Sequence, residues 1–360
     1  MYLNRLRIER LRCLQNVDLV PDPALNLLIG GNGAGKTSVL EALHCLSNGR
    51  SFRSGGQENL IARGAESFTV FGELTAADGL GHSLGFERQR SGWRGRLDGN
   101  DVLTLGEFAR SLSVICFEPQ SHELISGAGE GRRRLLDLAL FHVEPSYLQS
   151  WRRFQRALKQ RNAALRDRAY ARNAEVWELP LAESGETLSA MRSDWCLALE
   201  PLIQRSLAQL LPELGEAALR WRRGWDAEQP LQQALAESRE RDRELGYTVR
   251  GPQRGDLRIE FSEGGGRYEL SRGQQKLAAL ALLLASASAM QGKGGVSPII
   301  ALDDLPSELD QEKQAACLRW CTELNAQLWV TGTQMPVGLS EWPRSHAQFH
   351  VEQGRVTALL

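Results

Sequence analysis

Gly30-Gly31-Asn32-Gly33-Ala34-Gly35-Lys36-Thr37 decides how this chain folds. The string fits G-x-x-x-x-G-K-[ST]. It stands between the apolar run Leu25-Asn26-Leu27-Leu28-Ile29 and a helix expected over 38–46, the strand, loop and helix context that the motif requires. Glycines let successive backbone N–H groups turn inward as an anion nest at a helix N-terminus, where the helix dipole adds attraction for phosphate. Gly30, Gly31, Asn32, Gly33, Ala34, Gly35, Lys36 and Thr37 are therefore the expected ATP-binding loop. Lys36 reaches the terminal phosphates and shares in catalysis, and the Thr37 hydroxyl ligates Mg²⁺. A dinucleotide-binding loop is disfavoured, because Lys and Thr at the loop's end have no role there.

Such a loop needs a partner carboxylate. The apolar strand Pro298-Ile299-Ile300-Ala301-Leu302 delivers Asp303 and Asp304 at its C-terminal edge. Asp303 is expected to hold Mg²⁺, and Asp304 to orient or deprotonate the attacking water. The plainer alternative is a pair of acids capping the next loop. Asp is a methylene shorter than Glu, so slow hydrolysis is expected, as of a weak ATPase acting as a switch.

A third string, Leu270-Ser271-Arg272-Gly273-Gln274-Gln275-Lys276, precedes a long apolar helix expected over 274–290. Read locally, Ser271 is an N-cap and Gly273 opens the helix. The whole string resembles the ABC-type signature, in which one subunit's serine and helix N-terminus bind the γ-phosphate held by a second subunit's loop. That resemblance implies Ser271, Arg272, Gly273 and Gln274 acting in trans, with ATP buried between two heads. Ser307-Glu308-Leu309-Asp310 resembles the accompanying D-loop.

Outward from these motifs, residues 1–125 read as short strands with Gly-rich turns. Residues 126–245 read as helical, with stripes at Trp151, Phe154, Leu158 and Leu165 and at Leu188, Met191, Trp195, Leu199 and Leu202. Leu179-Pro180 and Ser184-Gly185 are expected to separate the stripes into an antiparallel pair, and Pro201 to kink or end the second. Residues 246–360 return to strands and helices, with a second helix over 311–324 and a closing strand pair at 328–331 and 349–351. The expected fold is α/β, a P-loop NTPase head of ABC type formed by both chain ends, with an inserted α-helical domain. A length of 360 residues suits a core domain plus a second unit.

Composition sets limits. Hydrophobic residues make up 42% and charged residues 24%, and no apolar run approaches the ~18 residues of a membrane span. The N-terminal segment alternates as a strand and lacks a signal peptide's apolar core, so a cytoplasmic protein without a membrane partner is expected. The six cysteines are scattered, and metal or redox use is disfavoured. A net charge of −1 excludes a whole-surface positive field and leaves local patches open. One such patch runs from Trp151 to Arg172, where Arg152, Arg153, Arg156, Lys159, Arg161, Arg166, Arg168 and Arg172 face a single acid, Asp167. Arg152, Arg153 and Arg156 are the candidate DNA contacts, acting by phosphate neutralisation, with a solvated helix face as the alternative. No base-reading motif is present, so DNA binding should be independent of sequence.

Over nearly its whole length the chain is similar to the RecF family of ABC-type DNA-repair ATPases, relatives of the SMC proteins. Besides the nucleotide motifs, the resemblance rests on Leu40-Glu41-Ala42-Leu43, Gly49-Arg50-Ser51-Phe52-Arg53, Arg132-Arg133-Arg134-Leu135-Leu136-Asp137 and Gly251-Pro252-Gln253-Arg254-Gly255-Asp256. Arg12 matches the arginine that in such heads lies near the nucleotide. Gln253-Arg254-Gly255-Asp256 stands where the family usually has His-Arg-Asp-Asp, and Leu305-Pro306 where another apolar pair is common. Thr331-Gly332-Thr333 takes the place of a transporter's switch histidine. The resemblance implies an ATP-dependent homodimer that clamps gapped or junction DNA, works with RecR and RecO, and supports RecA loading, replication restart and SOS induction. A transporter-type ATPase is the alternative, disfavoured by the large insertion. A small-molecule P-loop kinase would leave the signature and the basic helix unexplained.

Overall fold

The computed structural model describes residues 1–53, 57–76, 78–167, 171–263, 269–293 and 297–359. Along the chain come β1 (Tyr2–Leu11), β2 (Leu14–Leu19), β3 (Leu25–Ile29), α1 (Lys36–Asn48), β4 (Ser67–Thr75), β5 (Gly81–Gln89), β6 (Gly92–Leu97), β7 (Asn100–Val102), α2 (Leu105–Ser111) and β8 (Val114–Phe117). Helices α3 (Glu123–Ser126), α4 (Gly129–Val143), α5 (Tyr147–Arg166) and α6 (Glu178–Leu210) follow. Next are β9 (Ala217–Arg222), α7 (Leu231–Glu237), α8 (Arg239–Leu245), β10 (Asp256–Phe261), α9 (Arg272–Gly292), β11 (Ile299–Leu302), α10 (Leu305–Glu308) and α11 (Gln311–Glu323). Strands β12 (Leu328–Gly332), β13 (Ala347–Glu352) and β14 (Arg355–Leu359) complete the order.

Two compact units result. The first comprises Met1–His122, Ser206–Pro212 and Lys276–Leu360. It holds an antiparallel six-stranded sheet in the order β2-β1-β4-β5-β6-β7 and a second six-stranded sheet in the order β14-β13-β3-β12-β11-β8. In the second sheet every pairing except β13 with β14 is parallel. Parallel strands covered on both faces need apolar residues throughout, and β11 is buried at each position. Helix α1 shares one core with both sheets: Val39, Leu40, Leu43 and Leu46 are fully buried beside Ile8, Val70, Leu28 and Trp329. Leu3 and Leu6 of β1, three apart, would face opposite ways in a regular strand. A register shift between Leu3 and Arg5 lets both enter the core.

The expected closing strand pair is corrected here. Strands β12 and β13 are not neighbours, because β3 lies between them. The antiparallel partner of β13 is β14, an edge strand exposed along most of its length.

The second unit comprises Glu123–Arg205 and Glu213–Gln275. It is mainly helical, with β9 and β10 paired antiparallel. The insertion expected to close at residue 245 therefore runs thirty residues further, to Gln275. The cause is the pairing of Leu257 with Trp221 and Ile259 with Leu219, together with Arg132, which holds the Asp256 carboxylate at 2.8 and 3.1 Å. The expected break at Leu179-Pro180 and Ser184-Gly185 is also corrected. Helix α6 runs 33 residues without interruption, through Pro201 as well. Pro180 lies in its first turn, where a missing N–H costs nothing. Gly185 serves packing, since a Cβ there would stand 2.6 Å from Leu231 Cδ2 and 3.4 Å from Phe154 Cε2.

Candidate functional site

Parallel pairing of β3, β12 and β11 brings their C-terminal ends to one edge of the sheet, the edge where open α/β sheets bind ligands. The Gly30–Thr37 loop leaves β3 there. The Gly30 N–H bonds to the Gly332 carbonyl at 3.2 Å, and a Cβ at Gly30 would lie 2.0 Å from the Val351 carbonyl oxygen, so only glycine fits. Gly35 has φ 116°, a left-handed conformation that sets the direction of α1. Asn32 is exposed at the loop's tip, and Ala34 is pinned on both sides: its N–H bonds to the Gly31 carbonyl, and its carbonyl accepts from Gly354 N.

Lys36 is buried, its Nζ donating to the Gly30 carbonyl at 2.8 Å and to the Gly31 carbonyl at 2.9 Å. Two of the ammonium's three donors thus hold it across the loop, and the third remains for an anion. Thr37 Oγ1 donates to Asp303 Oδ1 at 2.9 Å, and Thr331 Oγ1 donates to the same oxygen at 2.8 Å. Thr331 Oγ1 also accepts from the Asp304 N–H at 2.7 Å. One hydroxyl therefore fixes both acids, and it is the site residue that the sequence motifs miss. Its traces in the sequence are a polar Thr among the buried Leu328, Trp329 and Val330 and its place in the Thr331-Gly332-Thr333 string, neither of which names its partners.

Asp303 is 1% exposed. Burial raises its pKa above the usual carboxylate range, while the hydroxyls of Thr331 and Thr37 and the positive charge of Arg53 pull the other way, and the charge of Asp304 adds to the rise. Asp304 has a left-handed backbone, φ 51°, and its Oδ1 is buried with no hydrogen-bond partner among the described residues. A buried, unsatisfied carboxylate oxygen in a strained conformation costs stability.

The remaining candidates are placed as follows. Arg12 makes a two-pronged pair with the fully buried Glu41 on α1, at 2.7 and 3.1 Å, and Ser51 Oγ donates to the same carboxylate at 2.7 Å. Ser271 and Gln274 form a reciprocal capping box: Gln274 N–H to Ser271 Oγ at 3.3 Å and Ser271 N–H to Gln274 Oε1 at 3.0 Å. Ser271, Arg272 and Gly273 are all exposed there. Glu308 forms an ion pair with Lys276, and Asp310 caps α11 through the Lys313 N–H.

On α5, Arg153, Arg156, Lys159 and Arg166 are exposed, and Arg152 is half-buried. Arg161 does not belong to that face. It is fully buried, with Asp242 at 2.6 Å, Thr248 Oγ1 at 2.8 Å and Glu178 at 3.0 Å. Its spacing of seven from Phe154 puts it on the apolar stripe, and charge alone had suggested otherwise. Arg168 and the side chain of Arg172 lie outside the described residues.

Three comparisons bear on this geometry. The family model described as RecF/RecN/SMC N terminal domain matches residues 2–341. The DNA replication and repair protein RecF of Xanthomonas axonopodis pv. citri (strain 306) is 47% identical over 361 residues, with 99% of this chain and 98% of that protein covered. The protein of the same name from Stenotrophomonas maltophilia (strain R551-3) is 46% identical over 367 residues, covering all of both. Among solved structures, the recombination mediator protein RecF-ATP in the RecFOR pathway superposes with a TM-score of 0.86 at 24% identity, over 100% of this chain and 98% of that one. Similarity of that extent to named homologues, together with a family model that spans most of the chain and a fold of the same kind, means that the chain belongs to the RecF family of DNA replication and repair proteins.

Proposed function

We propose that this protein is an ATP-dependent recombination mediator that closes as a homodimer on gapped or junction DNA and opens after hydrolysis. The convergence of Lys36, Thr37, Asp303 and Asp304 on one sheet edge carries the reading, because no element of a purely structural core needs that combination. The donor set also fits a divalent cation: Thr37 Oγ1 and Asp303 Oδ1, 2.9 Å apart, are the hard oxygen ligands that Mg²⁺ takes. When bound, Mg²⁺ would supply charge neutralisation to the phosphate oxygens.

The chain's own residues then divide the work. The loop's N–H groups and the Lys36 ammonium hold the phosphate chain. Asp304 Oδ1 accepts the proton of the attacking water. Family membership supports the repair role and sets aside a transporter ATPase. RecR, RecO and RecA as partners, and Ser271 to Gln274 as a signature completing a second copy's site, are supported by that membership and, for the signature, by the exposure of Ser271, Arg272 and Gly273. The exposed Arg153 and Arg156, with half-buried Arg152, are the proposed phosphate contacts on DNA.

Anisotropy titration of fluorescent gapped duplex with ATP, ADP and no nucleotide tests the whole. ATP should tighten binding at least tenfold in the wild type and not at all in Lys36→Arg, whose planar guanidinium cannot reproduce the two-carbonyl grip. Equal DNA affinity in all three nucleotide states would defeat the proposal.

A further inference from the structure

Helices α5 and α6 of the second unit enclose a cleft of about 410 Å³ that no nucleotide motif uses. The volume falls within the ~300–1,000 Å³ range of small-ligand sites. Arg153 and Arg156, three residues apart on one face of α5, line one wall. Trp177, half-buried at the turn before α6, lines it too, as do Glu183, Ser184 and Thr187. Other arginines of this unit are neutralised: Arg132 by Asp256, Arg161 by Asp242 and Glu178, and Arg192 by Asp137. Arg153 and Arg156 have no ion pair among the described residues, so two cationic forks remain for an anion beside an aromatic wall.

Phosphate alone would not explain the site. Glu183 repels a bare anion but accepts from the amino groups of a nucleobase. The hydroxyls of Ser184 and Thr187 donate to the Pro180 and Glu183 carbonyls at 2.6 and 2.9 Å, which leaves their lone pairs as further acceptors. Aromatic surface, two guanidinium groups and a ring of acceptors together match a nucleotide whose base is free to stack. A base inside a duplex is already stacked and paired, so the nucleotide must be unpaired. We propose that this cleft holds one unpaired nucleotide of a DNA strand, its base against Trp177 and its phosphate on Arg153 and Arg156. The inference rests on the DNA-binding reading above and adds to it a contact selective for single strand beside duplex.

The test compares wild type, Trp177→Ala and Trp177→Phe on gapped duplex, blunt duplex and a single-stranded oligonucleotide, by anisotropy at fixed salt. Trp177→Ala should weaken binding to gapped and single-stranded DNA roughly tenfold and leave blunt duplex unchanged, with Trp177→Phe restoring most of the loss. Free dAMP at millimolar concentration should not displace the gapped substrate. Displacement by dAMP would assign the cleft to free nucleotides and overturn the strand proposal. No loss on gapped DNA, or an equal loss on blunt duplex, would overturn it while leaving DNA binding itself intact. Should Trp177→Ala fail to fold, Trp177→Leu, which keeps apolar bulk and removes the stacking face, decides the same question, since loss on gapped DNA without loss on blunt duplex is again required. A wild type that binds none of the three DNAs would remove the DNA reading, and this inference with it.

Discussion

At Asp303 the requirements of the nucleotide-free fold and of the bound state oppose each other. Burial holds the carboxyl's folded pKa above its ordinary value. The stability from such a group is present below the unfolded pKa and lost as pH rises through the folded one, so near neutrality the ionised side chain is a net cost. Asp303→Asn should therefore melt higher than wild type at pH 7.5 without nucleotide, and the difference should vanish in acid, where both side chains are neutral. The same variant should lose the stabilisation by Mg²⁺-ATP, which in the wild type amounts to ~2.7 kcal/mol at a hundredfold excess over Kd. Thermal melts with and without Mg²⁺-ATP read both effects, and a lower apo midpoint would contradict the first. Arg161 is the converse case. Arg161→Ala leaves Asp242 and Glu178 buried without their cation, and should cost ~3–5 kcal/mol in urea unfolding. Lys36, Thr37 and Asp303 are legible in the sequence because each sits in a local string with its own spacing. Thr331 and the partners of Arg161 are not, because their meaning comes from residues far away in the chain.

On the scale of an element, Gly185 separates helix propensity from packing. In an exposed helix Gly→Ala gains up to ~1 kcal/mol. Here the new methyl would stand 2.6 Å from Leu231 Cδ2 and 3.3 Å from Pro252 Cδ. Leu231 is itself fully buried and has little room to yield. Overpacking costs ~1–3 kcal/mol, so Gly185→Ala should destabilise by roughly 1 kcal/mol net, seen as a lower urea midpoint with an unchanged slope. A rise in midpoint would mean that Leu231 repacks freely. The same residue shows why the helical stripes were legible but their division was not. Apolar spacing reports which face is buried, whereas a glycine in a helix reads alike whether it ends the helix or admits a neighbour. Strand β14 carries only four alternating positions, Arg355-Val356-Thr357-Ala358, of which Val356 packs against the core.

For the whole molecule, Lys36 and Asp304 should act in opposite directions on the lifetime of a dimer. Lys36 contributes to holding nucleotide, so Lys36→Arg should remain monomeric by sedimentation velocity with ATP. Asp304 is proposed to act after binding, by accepting the water's proton. Asp304→Asn keeps a side chain of the same size and leaves the backbone N–H bond to Thr331 intact. It should therefore bind ATP normally, hydrolyse it at least tenfold more slowly, and persist as a dimer on gapped DNA after wild type has dissociated. ADP should support no dimer in either protein. These signs follow from where each residue acts: before closure for Lys36, at the proton transfer that ends closure for Asp304. If Asp304→Asn dissociates as fast as wild type, release does not wait on hydrolysis, and ATP binding alone sets the state of the clamp. If wild type stays monomeric in ATP with gapped DNA, then Ser271 and Gln274 have no second loop to complete, and their capping box is a helix start and nothing more.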